Sequence, residues 1–303
     1  QKDSLDLSVE QSTLLDKKYK MFTRNGANLN AENKQELRNL DKKLAALSLN
    51  FGENVLAETN RYELRITNEE DLDGLPKGAR SAAKMLAHEK GKDGWIFNLH
   101  YPSYIPFMKY AKNRELRKKL SIAFGAKGFH NDALDNQENV LQIAKLRNKK
   151  ANLLGYETYE HYKLEQRMAE TPEKVNSCME ELLKKAKTGA ESEFHEREEF
   201  AKELDKIYQL QKWDSAYYSE KLKQKRFDLD DEKLKPYFEL KNVIQGVFTI
   251  AGKLYGLKFK EVFDVDTYHP EVKTYQVTDE YDKELALFYA DFHPREGKRG
   301  GAW

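Results

Sequence analysis

The chain has 303 residues, 39% hydrophobic and 34% charged, with 52 basic side chains against 51 acidic ones and a net charge of +1. That length supplies one large or two ordinary domains with a full apolar core, and the balanced charge, with no uniformly basic block, removes the electrostatic footprint of a nucleic-acid binder. One cysteine, Cys178, excludes an intrachain disulfide framework, and the longest charge-free apolar stretch of note, residues 242–252, is too short to span a bilayer.

Helix dominates the pattern. Over residues 36–60, Leu37, Leu40, Leu44, Leu47, Phe51 and Val55 step by three or four along one stripe, and Asn30 is placed to cap the helix. Next, Tyr62, Leu64 and Ile66 alternate with charged neighbours, as do Trp95, Phe97 and Leu99 further on. These are strand periods with a short helical segment between them, and they predict a small sheet. A helix is predicted over residues 132–154, ended by Gly155. Thr171 as cap, Pro172 at the first helical position and Glu173 in the first turn open another. Its apolar positions are Val175, Met179, Leu182, Leu183, Ala186, Ala190 and Phe194. Cys178 falls in that stripe beside Met179, where a buried, inert thiol is expected. Residues 271–277 and 284–292 read as a hairpin around a polar turn. On its second strand Ala286, Phe288, Ala290 and Phe292 form one face, and Leu285, Leu287 and Tyr289 most of the other, so both faces require cover.

The fold class that results is mainly α: a multi-helical, two-lobed body with a small antiparallel β element near residues 62–100 and a C-terminal β-hairpin. Residues 1–260 read as the mainly helical region with its small sheet. Residues 261–303 read as the hairpin and a Gly-rich strand. There is no internal repeat and no disordered linker.

The search for chemistry inside the chain returns little. The seven histidines are His88, His100, His130, His161, His195, His269 and His293, and the closest two stand twelve residues apart. No pair therefore shares a helical face at the spacing zinc requires. His88 precedes Glu89, but Lys92 occupies the second ligand position. His195 with Glu199, and His161 with Glu165, have i,i+4 geometry, yet a solvated face with ion pairs accounts for both. The chain lacks a G-x-S-x-G elbow, a P-loop and a G-x-G-x-x-G turn. The 17 tyrosines, several in "YY" and "YF" pairs, are read as packing from core to rim rather than as stacking platforms. The glycine-rich "GKRGG" follows a strand and runs into Ala-Trp rather than a helix N-terminus, which argues against a phosphate cradle.

Several stretches together resemble the thimet oligopeptidase family of zinc metallopeptidases, with bacterial dipeptidyl carboxypeptidases as the nearest type. They include "LAALSLNFGENVLAETNRYELRI" from Leu44, "LHYPSYIPFMKYAKNRELRKKL" from Leu99, "LRNKKANLLGYETYEHYKLEQRMAETPEKV" from Leu146, "WDSAYYSEKLKQKRFDLDDEKLKPYFEL" from Trp213, "GVFTIAGKLYGLKFKEV" from Gly246 and "LFYADFHPREGKRGGAW" at the end. The resemblance implies two mainly helical lobes around a deep channel with a small sheet along one wall. It implies a zinc enzyme that acts on unfolded peptides, without nucleic-acid or membrane partners, and that releases dipeptides from C-termini.

It also implies that the zinc motif and the general base of the full-length enzyme lie downstream of Trp303. The chain is then expected to be an internal fragment, inactive alone, with no catalytic residue and no metal ligand of its own. The substrate-binding candidates are Gly300, Gly301, Ala302 and Trp303, where paired glycines permit close approach of a peptide backbone. A plain turn is the other reading of these glycines. The alternatives for the whole protein are an endo-acting oligopeptidase of the same family and a non-catalytic helical binding or scaffold protein. The single cysteine fits a cytoplasmic location, and a periplasmic one stays open.

Overall fold

The computed structural model describes residues 6–298. In chain order the helices are α1 (Val9–Arg24), α2 (Ala31–Arg61), α3 (Lys77–Glu89), α4 (Tyr101–Tyr110), α5 (Arg114–Gly125), α6 (Gln137–Leu153), α7 (Tyr159–Leu164), α8 (Pro172–Asp205), α9 (Lys212–Phe227), α10 (Asp231–Leu234) and α11 (Leu240–Tyr255). The strands are β1 (Leu64–Ile66), β2 (Trp95–Phe97), β3 (Lys258–Val262), β4 (Lys273–Thr278) and β5 (Glu284–Ala290). The mainly α class with small antiparallel sheets stands. Two compact units form, one from the chain up to Arg61 with Ala123–Glu196, the other from Tyr62–Ile122 with the chain from Arg197.

The first unit is held largely by α2 against α6. The Asn30 side chain accepts from the Asn33 N–H (2.8 Å), which is the predicted cap of α2, and Leu37 and Leu40 are buried. Further along, amides replace apolar contacts. Asn136 Oδ1 accepts from Asn54 Nδ2 (3.1 Å) and from Asn139 Nδ2 (2.7 Å), while its own Nδ2 donates to the Phe51 carbonyl (3.1 Å). All three asparagines are buried, and this mutual pairing offsets the cost of removing them from water.

Two expectations are corrected in this unit. Helix α6 starts at Gln137 rather than near residue 132. The Asp135 carboxylate accepts the N–H groups of His130 (2.9 Å), Asn131 (2.7 Å) and Gln137 (2.8 Å). That side-chain turn competes with helix for the same backbone donors and wins there. Helix α8 does open at Pro172, with the Thr171 hydroxyl accepting from the Lys174 N–H (3.3 Å). Its thiol, however, is not buried: Cys178 is exposed, as are Met179, Leu182 and Leu183. A thiol is buried only where its helix face is covered, and this stretch of α8 has its apolar stripe open.

In the second unit β1 and β2 pair antiparallel, Leu64 opposite Phe97 and Ile66 opposite Trp95, while Tyr62 and Leu99 fall just outside the strands. Gly94 has φ of +87°, and a Cβ there would lie 2.2 Å from the Ile66 carbonyl oxygen, so only glycine brings the chain into β2 this closely. Ile66, Leu72, Leu75, Ala87, Ile96, Phe97, Leu99 and Phe107 are buried, and the Phe97 and Phe107 rings meet edge to face at 4.7 Å.

A charged core lies beside these apolar residues. The fully buried Asp214, in the first turn of α9, accepts from Arg114 Nε (2.9 Å) and Nη2 (2.7 Å), from Arg117 Nη2 (3.1 Å) and from the Gln211 N–H (3.0 Å). Burial alone pushes its carboxyl up, but Arg114, the Gln211 N–H and Arg117 together hold it below the ordinary range. Arg117 is 1% exposed. It also donates to the carbonyls of Ala111 (2.8 Å), Lys112 (3.1 Å) and Trp213 (3.1 Å), and its guanidinium lies over the Tyr217 ring.

The "YY" pair behaves as expected, with Tyr217 and Tyr218 buried and edge to face at 5.1 Å. The "YF" pair does not, since Tyr237 and Phe238 are both exposed. They sit in and just after a one-turn 3-10 helix, and no residue of that segment is buried, so it offers these rings no cover.

The predicted terminal hairpin is present as β4 and β5, but a strand absent from the sequence reading, β3, extends it to three in the order β3-β4-β5. Tyr275 sits opposite Glu261 on one side and Phe288 on the other. Helix α11 covers one face, with Phe248 stacked on Phe259 at 4.1 Å and edge-on to Tyr275 at 4.8 Å.

Candidate functional site

Strand β5 is the outermost strand of its sheet among the described residues. Its seven residues, ELALFYA, begin after a tight turn in which Asp279 Oδ1 accepts from the N–H groups of Tyr281 and Lys283, both at 2.9 Å. The register slips between Val277 and Thr278, so that Thr278 pairs with Glu284. Leu285, Leu287, Phe288 and Tyr289 are all exposed, and only Ala290 is buried. The reading that both faces need cover is therefore met by α11 on one face in part, with Phe248 and Phe288 ring centres 6.3 Å apart. An outer strand of this kind carries a row of backbone donors and acceptors along its free side, flanked by apolar side chains above and below. Chemically that is a template for one more extended chain.

Past β5 the chain is clamped. The Asp291 carboxylate accepts from Arg295 Nη1 (2.8 Å) and Nη2 (2.7 Å) in a two-pronged pair, and from the Tyr268 hydroxyl (3.2 Å). Lys298 Nζ lies 3.1 Å from the same carboxylate, and the Lys298 N–H donates to the Arg295 carbonyl (3.0 Å). Arg295 foremost, opposed by burial and helped by Lys298 and Tyr268, holds the Asp291 carboxyl far below the usual carboxylate range. A depressed carboxyl contributes stability that is complete above its unfolded value of about 4 and is lost only as pH falls through the folded value. The clamp is accordingly expected to stay closed at pH 4, where free aspartates are half protonated. An NMR titration of the Asp291 carboxyl with a midpoint near 4 would remove the clamp from the account.

The predicted substrate-binding residues Gly300, Gly301, Ala302 and Trp303 lie outside the described residues. The structure carries the chain to Lys298, two residues short of them. Asp291, Arg295, Lys298 and Tyr268 were missed by sequence reasoning, although the Asp-x-x-x-Arg spacing in "ADFHPREGK" was a usable signal. Among the described residues no three His, Cys, Asp or Glu side chains come together to hold a metal ion. The His161 and Glu165 pair is not made: His161 Nδ1 meets the Thr158 hydroxyl (2.9 Å), and Glu165 accepts from Arg24 and from the Tyr156 hydroxyl (2.7 Å). His195 and Glu199 are exposed on a helix face that also carries the Lys187–Glu191 and Lys202–Glu199 pairs. No helix of the described residues is long and apolar enough to cross a membrane.

Comparison with known proteins adds an independent line. The profile described as "Peptidase family M3" matches residues 107–303. The oligopeptidase A of Salmonella typhimurium is 36% identical over 301 residues, covering 98% of this chain and 44% of that protein. The oligopeptidase A of Escherichia coli is 35% identical, with 98% and 44% covered. The dipeptidyl carboxypeptidase of Escherichia coli is 34% identical over 304 residues, covering 100% of this chain and 45% of that protein. The chain thus spans less than half the length of these relatives, and the identities do not single out the dipeptidyl carboxypeptidase type that the sequence resemblance put first.

Proposed function

The chain belongs to peptidase family M3, and from that premise we propose that it supplies a peptide-binding wall to a zinc metallopeptidase, with the free side of β5 as the strip along which an extended peptide lies. The observation that carries this reading is the strand that is outermost among the described residues, apolar on both sides and ended by the Asp291 clamp. A peptide adding to such a strand gains backbone hydrogen bonds irrespective of its sequence, while alternate side chains meet Leu285, Leu287 and Tyr289 on one face and Phe288 on the other. Unfolded peptides, whose backbone is free to extend along the strand, are the proposed substrate class. Zinc is implied by the family resemblance for the whole enzyme. The described residues do not form a site that fits it, so the chemical step is not assigned to them.

For specificity we propose release of C-terminal dipeptides. Endo-acting cleavage is a second reading, favoured by the relatives named oligopeptidase A at 36% and 35% identity. Digestion of one unstructured peptide with free and with amidated C-terminus by the zinc-loaded full-length enzyme separates the two. Dipeptide release predicts stepwise two-residue products that fall sharply on amidation. Internal fragments made equally well from both peptides establish endo cleavage instead. Absence of any hydrolysis by a zinc-loaded, folded enzyme leaves a binding or scaffold protein.

A further inference from the structure

Helix α11 carries two apolar stripes, and the sheet covers one. Phe248 stacks on Phe259 and meets Tyr275 edge-on, and Ile244, Phe248 and Ala251, which share that stripe, are partly covered. Leu240, Val243, Val247, Ile250 and Leu254 form the second stripe, in steps of three and four. All five are 41–67% exposed, and α11 has no buried residue. Single exposed apolar side chains need no explanation, but five in register along one helix mark an interaction surface.

The stripe also lacks the composition of a solvated face. From Asn242 to Gly252 there is no charged residue, and depletion of charge is what distinguishes the core of an interface. Gly246 is an independent observation. It lies three residues after Val243 and four before Ile250, on the same side of the helix, and a Cβ added there would meet nothing within 4 Å. Glycine in a helix interior is destabilising relative to alanine, and none of the described residues uses the space that it leaves. A second helix passing close to α11 would use it.

The spacing identifies the shape of the occupant. Steps of three and four over about 21 Å of helix match another helix laid along α11, whereas an extended chain would match a period of two. The five residues before Asp6 and the five after Lys298 span at most about 17 Å each, too little to run the length of the stripe. Charge disfavours a second copy. Leu240–Tyr255 contains Lys241 and Lys253 and no acidic residue, so two α11 helices face to face form no ion pair to fix their register. The relatives point to the remaining source. They are more than twice as long as the stretch they share with this chain, with 44% or 45% of each covered.

We propose that the outer stripe of α11 seats an amphipathic helix from the part of its own full-length polypeptide outside residues 1–303, with Gly246 at the point of closest approach. This contact is independent of the peptide-binding reading of β5, and the experiment that follows reads no peptide binding.

Thiol labelling of the full-length protein tests it, comparing Val247→Cys on the stripe with Gln245→Cys on the opposite side of α11, each followed at its own peptide by mass spectrometry. A packed position is reached only when the contact opens, so Val247→Cys is expected to react about a hundredfold or more slowly than Gln245→Cys. A photo-cross-linking amino acid placed in turn at 243, 247 and 250 should join positions outside residues 1–303 of the same polypeptide, and those positions should step by three or four. Gly246→Ala should lower the melting temperature of the full-length protein, against the helix preference of alanine, because its methyl group enters the contact. Val247→Cys reacting as fast as Gln245→Cys, or cross-links confined to residues 1–303, would overturn the docking surface. Cross-linked dimers would overturn it in favour of a second copy. An unchanged or raised melting temperature for Gly246→Ala would remove the close approach.

Discussion

Asp214→Ala is expected to lower the unfolding free energy by about 3–5 kcal/mol, the range for removing one partner of a buried ion pair. Asp214 is 0% exposed and Arg117 1% exposed. The substitution therefore strands a guanidinium that cannot lose its proton at any accessible pH. Arg117 keeps its carbonyl partners Ala111, Lys112 and Trp213, but carbonyl dipoles do not neutralise a charge. Against a typical total stability of about 5–15 kcal/mol, the loss is a large fraction of the whole. Arg114, whose side chain is 33% exposed, should cost clearly less when truncated, because water reaches it. The double replacement Asp214→Leu with Arg117→Met should recover much of the stability, since well-packed apolar pairs often match buried ionic ones. Urea unfolding followed by tryptophan fluorescence, to which Trp213 beside the network contributes, measures all of these. A loss below about 1 kcal/mol for Asp214→Ala would mean that the network is not what holds α5 to α9.

Local signals in the sequence translated well wherever a side chain acts on its own neighbours. Asn30 and Thr171 were legible as caps because capping needs only a short polar side chain three residues before a free N–H. The β1–β2 pair and the β4–β5 hairpin were legible from period-two alternation. Strand β3 was not. Lys258, Lys260 and Glu261 crowd its five residues with charge, and only its pairing with β4 makes it a strand. The start of α6 was misplaced because Asp135 gathers three backbone donors that a helix would have used.

Burial was the least legible property. The stripe through Cys178 has helical period, but period alone does not say whether anything covers it. The converse holds for Asp214, Arg117 and Glu220, charged residues that pattern places on a surface and that are buried by partners up to 100 positions away in sequence. The candidate site shows the same division. The apolar alternation of β5 was visible, whereas the Asp291 clamp depends on a turn that brings Arg295, Lys298 and Tyr268 onto one carboxylate.

Gly301→Pro in the full-length enzyme is expected to lower kcat/KM roughly ten- to a hundredfold. The premise, which we propose from the sequence resemblance, is that Gly300, Gly301, Ala302 and Trp303 bind the substrate, with paired glycines where its backbone approaches. Proline removes one N–H donor and fixes φ near −65°. If one or two backbone bonds to the peptide strengthen in the transition state, each is worth about 1–1.5 kcal/mol, which gives the stated range. Gly301→Ala separates the two effects of proline: it keeps the donor and adds only a methyl group, so it reports steric approach alone. Zinc content and melting temperature of each variant must match the parent, because proline also disrupts sheets. The Asp291 clamp sharpens the test. Asp291→Asn keeps the chain length and loses the ionic pairing with Arg295 and Lys298, so it should loosen the same segment from its N-terminal side and raise KM more than it lowers kcat. A folded, zinc-loaded Gly301→Pro enzyme with unchanged kcat/KM would remove this segment from the peptide-binding wall and leave its glycines as a turn.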